Sequence, residues 1–148
     1  MHFLVHVILP KDVAAGCSRK QVDLAVEAAL KRYWTQDGTN DDGWWDWYEI
    51  GGRFDGSVKA LTPLPSPPSS GLIQRFFPPK PPKNVAPVED VVSAWSEERA
   101  PFVVVTPDGT AHGDDDWAKE EFATWSHRFK ELVGRHKGHL VAGVDCHA

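Results

Sequence analysis

Apolar and polar residues alternate at both ends of the chain. Phe3, Val5, Val7 and Leu9 fall on one side of an extended segment, and His2, Leu4, His6 and Ile8 on the other, until Pro10 ends it. Residues 139–147 repeat the pattern: Leu140, Ala142, Val144 and Cys146 alternate with His139, Val141, Gly143, Asp145 and His147. Each terminal strand therefore has one wholly apolar face and one that carries histidines. Between them the period changes. Ser18-Arg19-Lys20-Gln21 forms a capping box, and Val22, Ala25, Val26, Ala29, Leu30 and Tyr33 continue as one helical stripe, predicting a helix over 19–33. Residues 88–98 predict a short helix, and Phe102 to Thr106 a buried strand closed by the turn Pro107-Asp108-Gly109-Thr110. A second long helix has the stripe Trp117, Phe122, Trp125, Phe129, Leu132 and Val133. Asp114, Asp115 and Asp116 act as acidic caps at its start rather than as a metal site, and Gly134 closes it.

The middle of the chain breaks these periods twice. After a polar turn region from Asp37-Gly38 to Gly43 comes Trp44-Trp45-Asp46-Trp47-Tyr48-Glu49-Ile50-Gly51-Gly52-Arg53-Phe54-Asp55-Gly56. A buried strand would favour Val and Ile, and a solvated loop would not carry so many tryptophans. The run predicts a strand in a pocket wall that bends at Gly51-Gly52 and presents Arg53 past the bend. A hairpin whose tryptophans fill a core is the structural alternative. Residues 62–87 then hold nine prolines, which favour extended segments over regular structure. The apolar centre of this insert, Leu72 to Phe77, suits either a lid or a cover over a sheet edge. A proline-rich ligand for a partner protein is a third possibility.

The order strand, helix, strand, insert, strand, helix, strand is the split βαβ plan of a ferredoxin-like α+β fold. This predicts one domain over 1–148, with an antiparallel sheet, two helices on one face and the other face free. In that plan the first and last strands are antiparallel neighbours. His2, His6, His139, Asp145 and His147 then share the open face, provided that no bulge shifts the parity.

Composition narrows the partners. A net charge of −5 and a pI near 5.7 exclude a general nucleic-acid binder but leave room for a small anion held by arginine. No apolar run reaches membrane-spanning length, and the opening residues lack a signal-peptide pattern. Cys17 and Cys146 make no disulfide framework. The expectation is a cytoplasmic, reduced protein, with homo-oligomers possible.

Two histidines on adjacent strands, beside an arginine and aromatic faces, suit metal-free phosphodiester cleavage. One imidazole takes a proton from a ribose 2′-hydroxyl while the other protonates the leaving oxygen. The candidate catalytic residues are His6, His147, Asp145 and Tyr48. Arg53, Trp45, Trp47, Glu49, His2 and His139 are candidates for holding the substrate, with no cofactor required. A metal site is the competing use of the same residue types, through His136-x-x-His139 or Asp145-Cys146-His147. Neighbours on a strand point to opposite faces, which disfavours it. No phosphate-binding glycine loop or nucleophile elbow occurs.

The string Trp45-Asp46-Trp47-Tyr48-Glu49-Ile50-Gly51-Gly52-Arg53-Phe54-Asp55-Gly56 resembles a signature of small proteins from bacteriophages and their bacterial hosts. The resemblance extends to the opening strand with Pro10-Lys11-Asp12, to Thr106-Pro107-Asp108-Gly109 and to Val144-Asp145-Cys146-His147, but not to the insert. Through it the chain is similar to phage anti-CBASS proteins, which disable cyclic-oligonucleotide immune signals. That resemblance implies an enzyme acting on cyclic dinucleotides such as cyclic GMP-AMP. Phe54 stands where the pattern has Trp, which removes one expected stacking contact. A non-catalytic nucleotide sponge is the second functional expectation, and a protein-interaction module the third.

Overall fold

The computed structural model describes residues 1–36, 40–113 and 121–148. The Asp37-Gly38 turn, the Asp114–Asp116 cap and Trp117 lie outside them. The fold is mixed α+β, with a six-stranded sheet and four α-helices among the described residues.

At its centre β1 (His2–Ile8) pairs antiparallel with β6 (Leu140–His147), in a register that sets His2 opposite His147 and Leu4 opposite Asp145. The alternation predicted for the two ends is therefore one continuous pleat. On its other side β1 runs parallel to β4 (Val103–Val105), which pairs with the two-residue β5 (Ala111–His112). The predicted neighbour relation of the first and last strands holds. The rest of the ferredoxin-like order is not what forms. Strand β2 (Trp47–Ile50) lies against the outer edge of β6, giving the order β2-β6-β1-β4-β5. In the split βαβ plan a second strand would sit beyond β4, where β5 lies instead.

The helices also depart from expectation by covering both faces. Helix α1 (Arg19–Leu30) has the predicted capping box, with the Gln21 amide donating to Ser18 Oγ and the Ser18 amide donating to Gln21 Oε1. Its Val22, Val26 and Leu30 pack on Phe3, Val5, Val7 and Leu9. Helices α3 (Val88–Ser93) and α4 (Phe122–Gly134) cover the opposite face, where Val88, Val91, Trp125, Phe129 and Val133 pack on Ile8, Val104 and Val141. The physical reason is in the residues. The histidine-bearing face also carries Leu4, Ile8 and Val141, so most of it needs apolar cover. Among the described residues, the end of the sheet around His2 and His147 is left more open.

The insert contains two short elements that its prolines hid. Helix α2 (Leu72–Phe76) is a single exposed turn and a half, and β3 (Val85–Pro87) pairs with β6 at Leu140 to Ala142. Strand β3 tolerates Pro87 because it is an edge strand. Of the three uses predicted for the insert, only β3 at its end covers a sheet edge. The apolar centre is exposed.

Candidate functional site: two carboxylate-backed histidines on the sheet rim

Pairing across β1, β6 and β2 places His2, His147 and Trp47 in one row, with Asp145 and Glu49 in the row behind on the same face. Asp145 is 1% exposed, and its two oxygens are both used. Oδ1 lies 2.9 Å from His2 Nδ1, and Oδ2 accepts the Arg53 backbone N–H at 2.9 Å. His147 Nδ1 lies 2.8 Å from Asp46 Oδ1. A carboxylate only accepts, so in both pairs Nδ1 carries the proton and Nε2 presents its lone pair when the ring is neutral. The two rings stand 5.0 Å apart between centroids, inclined at 67°. Hydrogen bonding to His147 holds the Asp46 carboxyl below the usual carboxylate range, so it stays charged beside that ring.

The double glycine brings Arg53 to this carboxylate. Gly51 and Gly52 have φ of +85° and +49°, a region that L side chains seldom adopt. A Cβ on Gly52 would lie 2.6 Å from Asp145 Cβ and Oδ2, and one on Gly51 would meet the Asn84 amide. The bend predicted at these residues is therefore required by close approach to both. Asn84 completes the turn, accepting from the Gly56 amide at 2.8 Å and donating to Asp55 Oδ1 at 2.9 Å.

Two open clefts meet at this rim. One, of about 540 Å³, is lined by His2, His147, Asp46, Trp47 and Trp34. The other, of about 660 Å³, is lined by His2, Trp47, Glu49, Arg53, Lys83 and Asp145, among others. Trp47 is 48% exposed, and its ring meets His2 edge-on at 6.1 Å between centroids. This pair offers a flat aromatic face beside an acid–base group and a guanidinium.

His2, His147, Asp145, Trp47, Glu49 and Arg53 therefore gather as the sequence predicted. Four other candidates do not join them. His6 has the predicted parity but is 2% exposed, packed beneath α3 against Trp95 at 5.8 Å between ring centroids. Burial lowers its pKa to about 3, so it cannot exchange protons with a ligand on the rim. Tyr48 pairs with Cys146 and faces α1, where burial followed by the Glu27 and Asp23 carboxylates pushes its phenol up. Trp45 is buried, and its Nε1–H donates to the Leu30 carbonyl at 2.8 Å; for this tryptophan the core-filling alternative is the outcome. His139 sits at the opposite end of β6, about 26 Å from His147 at the rise of a strand, with Nδ1 2.7 Å from the Leu9 carbonyl.

The sequence reading missed Asp46. It begins the strand with its amide on the His147 carbonyl, and its only signal was a carboxylate between two tryptophans. Among the described residues, no three of His, Cys, Asp and Glu are placed to hold a metal ion. In the Asp145-Cys146-His147 string, Cys146 points into the core, where burial and Asp145 push its thiol up. No family model, curated protein or solved structure matches the chain. No helix among the described residues is long and apolar enough to cross a membrane.

Proposed function

We propose that this protein is a metal-independent phosphodiesterase of a cyclic dinucleotide signal, of the anti-CBASS kind, with His2 and His147 as its acid–base pair. One observation carries this reading: two imidazoles, each backed by a carboxylate through Nδ1, stand 5.0 Å apart and both line one open cleft. A single histidine–carboxylate pair is a common structural device. Two side by side on an open rim supply a base and an acid for one displacement.

His2, held in one tautomer by the buried Asp145, takes the proton of a ribose 2′-hydroxyl on Nε2. The 2′-oxygen attacks phosphorus and the bond from phosphorus to the 5′-oxygen breaks. His147, protonated and stabilised by Asp46, gives its Nε2 proton to that leaving oxygen. The products are a 2′,3′-cyclic phosphate end and a free 5′-hydroxyl. Arg53 and Lys83, in the adjoining cleft, offset the surrounding carboxylates and hold phosphate, while Trp47 provides a face for a base.

Incubation of the protein with a panel of cyclic dinucleotides in EDTA, followed by chromatography, tests the proposal. New linear products support it. Ligand recovered unchanged after heat denaturation points instead to a sponge, which uses the same clefts and Arg53 but needs no pair of histidines. Absence of both binding and product refutes a nucleotide role.

A further inference from the structure

The largest run of exposed apolar side chains among the described residues lies on the proline-rich insert. Leu72, Ile73, Phe76 and Phe77 are each 72–78% exposed, although they are among the most apolar residues in the chain. Four such side chains together form a patch of the kind monomers rarely leave open. Charge sets the same segment apart. Residues 60–82 carry Arg75 and Lys80 and no acid, which leaves 14 basic against 21 acidic residues elsewhere, a net of −7. A basic, apolar arm thus projects from a strongly acidic body.

We propose that the arm docks on the body of a second copy of this chain, in a reciprocal exchange that makes a two-fold dimer. Charge complementarity selects this occupant. Two arms set face to face would repel, whereas an arm on the partner's acidic body satisfies both signs at once. The area is sufficient. At about three-quarters exposure and roughly 200 Å² per side chain, the four residues offer about 600 Å² per copy. Both copies together then bury at least about 1,200 Å², where stable interfaces begin. The prolines flanking α2 favour extended backbone and reduce the entropy lost when the arm docks. The exchange is isologous and closes on itself, so it stops at two copies rather than growing into filaments.

Sedimentation of the full chain at low and high salt tests this. The expected result is a dimer at low salt that weakens severalfold at high salt. The double variant Ile73→Ser/Phe77→Ser should weaken dimerisation about tenfold or more, and Arg75→Glu/Lys80→Glu should do so at low salt only. Thermal melting should leave both variants folded, because the altered side chains touch little of their own chain. A wild-type monomer throughout, a dimer indifferent to both double variants, or an arm that binds anionic vesicles instead of a second copy would overturn the proposal.

Discussion

The buried His6 makes the protein sensitive to acid in a way that can be worked out in advance. The ring lies under α3 beside a cavity of about 20 Å³ lined by Ser57, Lys59, Val91, Ala94, Trp95, Ser96 and Arg99, with no carboxylate among them. Neither ring nitrogen has a hydrogen-bond partner among the described residues. Burial brings its pKa from 6.5 to about 3. The unfolded chain therefore binds a proton over the interval from 6.5 to 3 where the folded chain does not. Stability is complete above pH 6.5 and is lost as pH falls toward 3. At 1.36 kcal/mol per pKa unit the full effect is on the order of 5 kcal/mol, with about 2 kcal/mol already gone at pH 5. For a chain of this size that is a drop in Tm of about 4–8 °C at pH 5 from this one residue. Other groups titrate too, so the measurement is a difference. Melting curves of wild type and His6→Leu from pH 7.5 to 4.5 should diverge, with the variant flatter by that amount. Parallel pH slopes in the two proteins, or the His6 imidazole itself titrating near 6.5 by NMR, would refute the reasoning.

Other perturbations test the rim. Asp145→Asn should leave the fold intact and lower cleavage by about two to four orders of magnitude. The Arg53 amide fixes the new carboxamide oxygen, so its NH2 group meets His2 Nδ1 and moves the ring proton to Nε2; single-turnover assays and nitrogen NMR of His2 would check it. His147→Ala should abolish cleavage and largely keep binding, whereas Arg53→Ala should weaken both, as read by calorimetry beside product formation. Full activity in both variants would remove the proposed site. Gly52→Ala combines a positive φ with a clash against Asp145, and should cost about 1–3 kcal/mol in denaturant titration. Ser18→Ala loses the capping box and should cost about 1 kcal/mol in the same measurement.

The features legible in the sequence were those that local chemistry fixes. Alternation in 2–9 and 139–147 gave the central pair and its faces. The Ser18–Gln21 box gave the start of α1, and Gly51-Gly52 gave the bend before Arg53. What failed depends on long-range choices. Whether β2 joins β6 or lies beyond β4 is decided by which edge is open, and no local pattern encodes that. The shared parity of His2 and His6 was right, yet depth along the strand separates them. One is at the rim and the other under α3, and Ile8 and Val141 on the same face were the available warning. His139 failed for the same reason, since parity says which side a residue faces but not how far along the strand it stands from its partners. The two-residue β5 and the proline-bounded β3 carry too little pattern to be seen, whereas the equally short β4 was legible from its unbroken run of valines.

Gly143 closes the neck of the insert. Its carbonyl accepts the Gly51 amide and its own amide donates to the Asn84 carbonyl, both at 2.9 Å, between the stretches of β6 held by β2 and β3. The chain therefore departs from the sheet and rejoins it at a single point. What lies between behaves as a cassette: the outer segment 68–80 can be shortened, lengthened or exchanged while the same three residues keep the stitch. Changes in length and sequence have a place to accumulate here without disturbing the histidine rim.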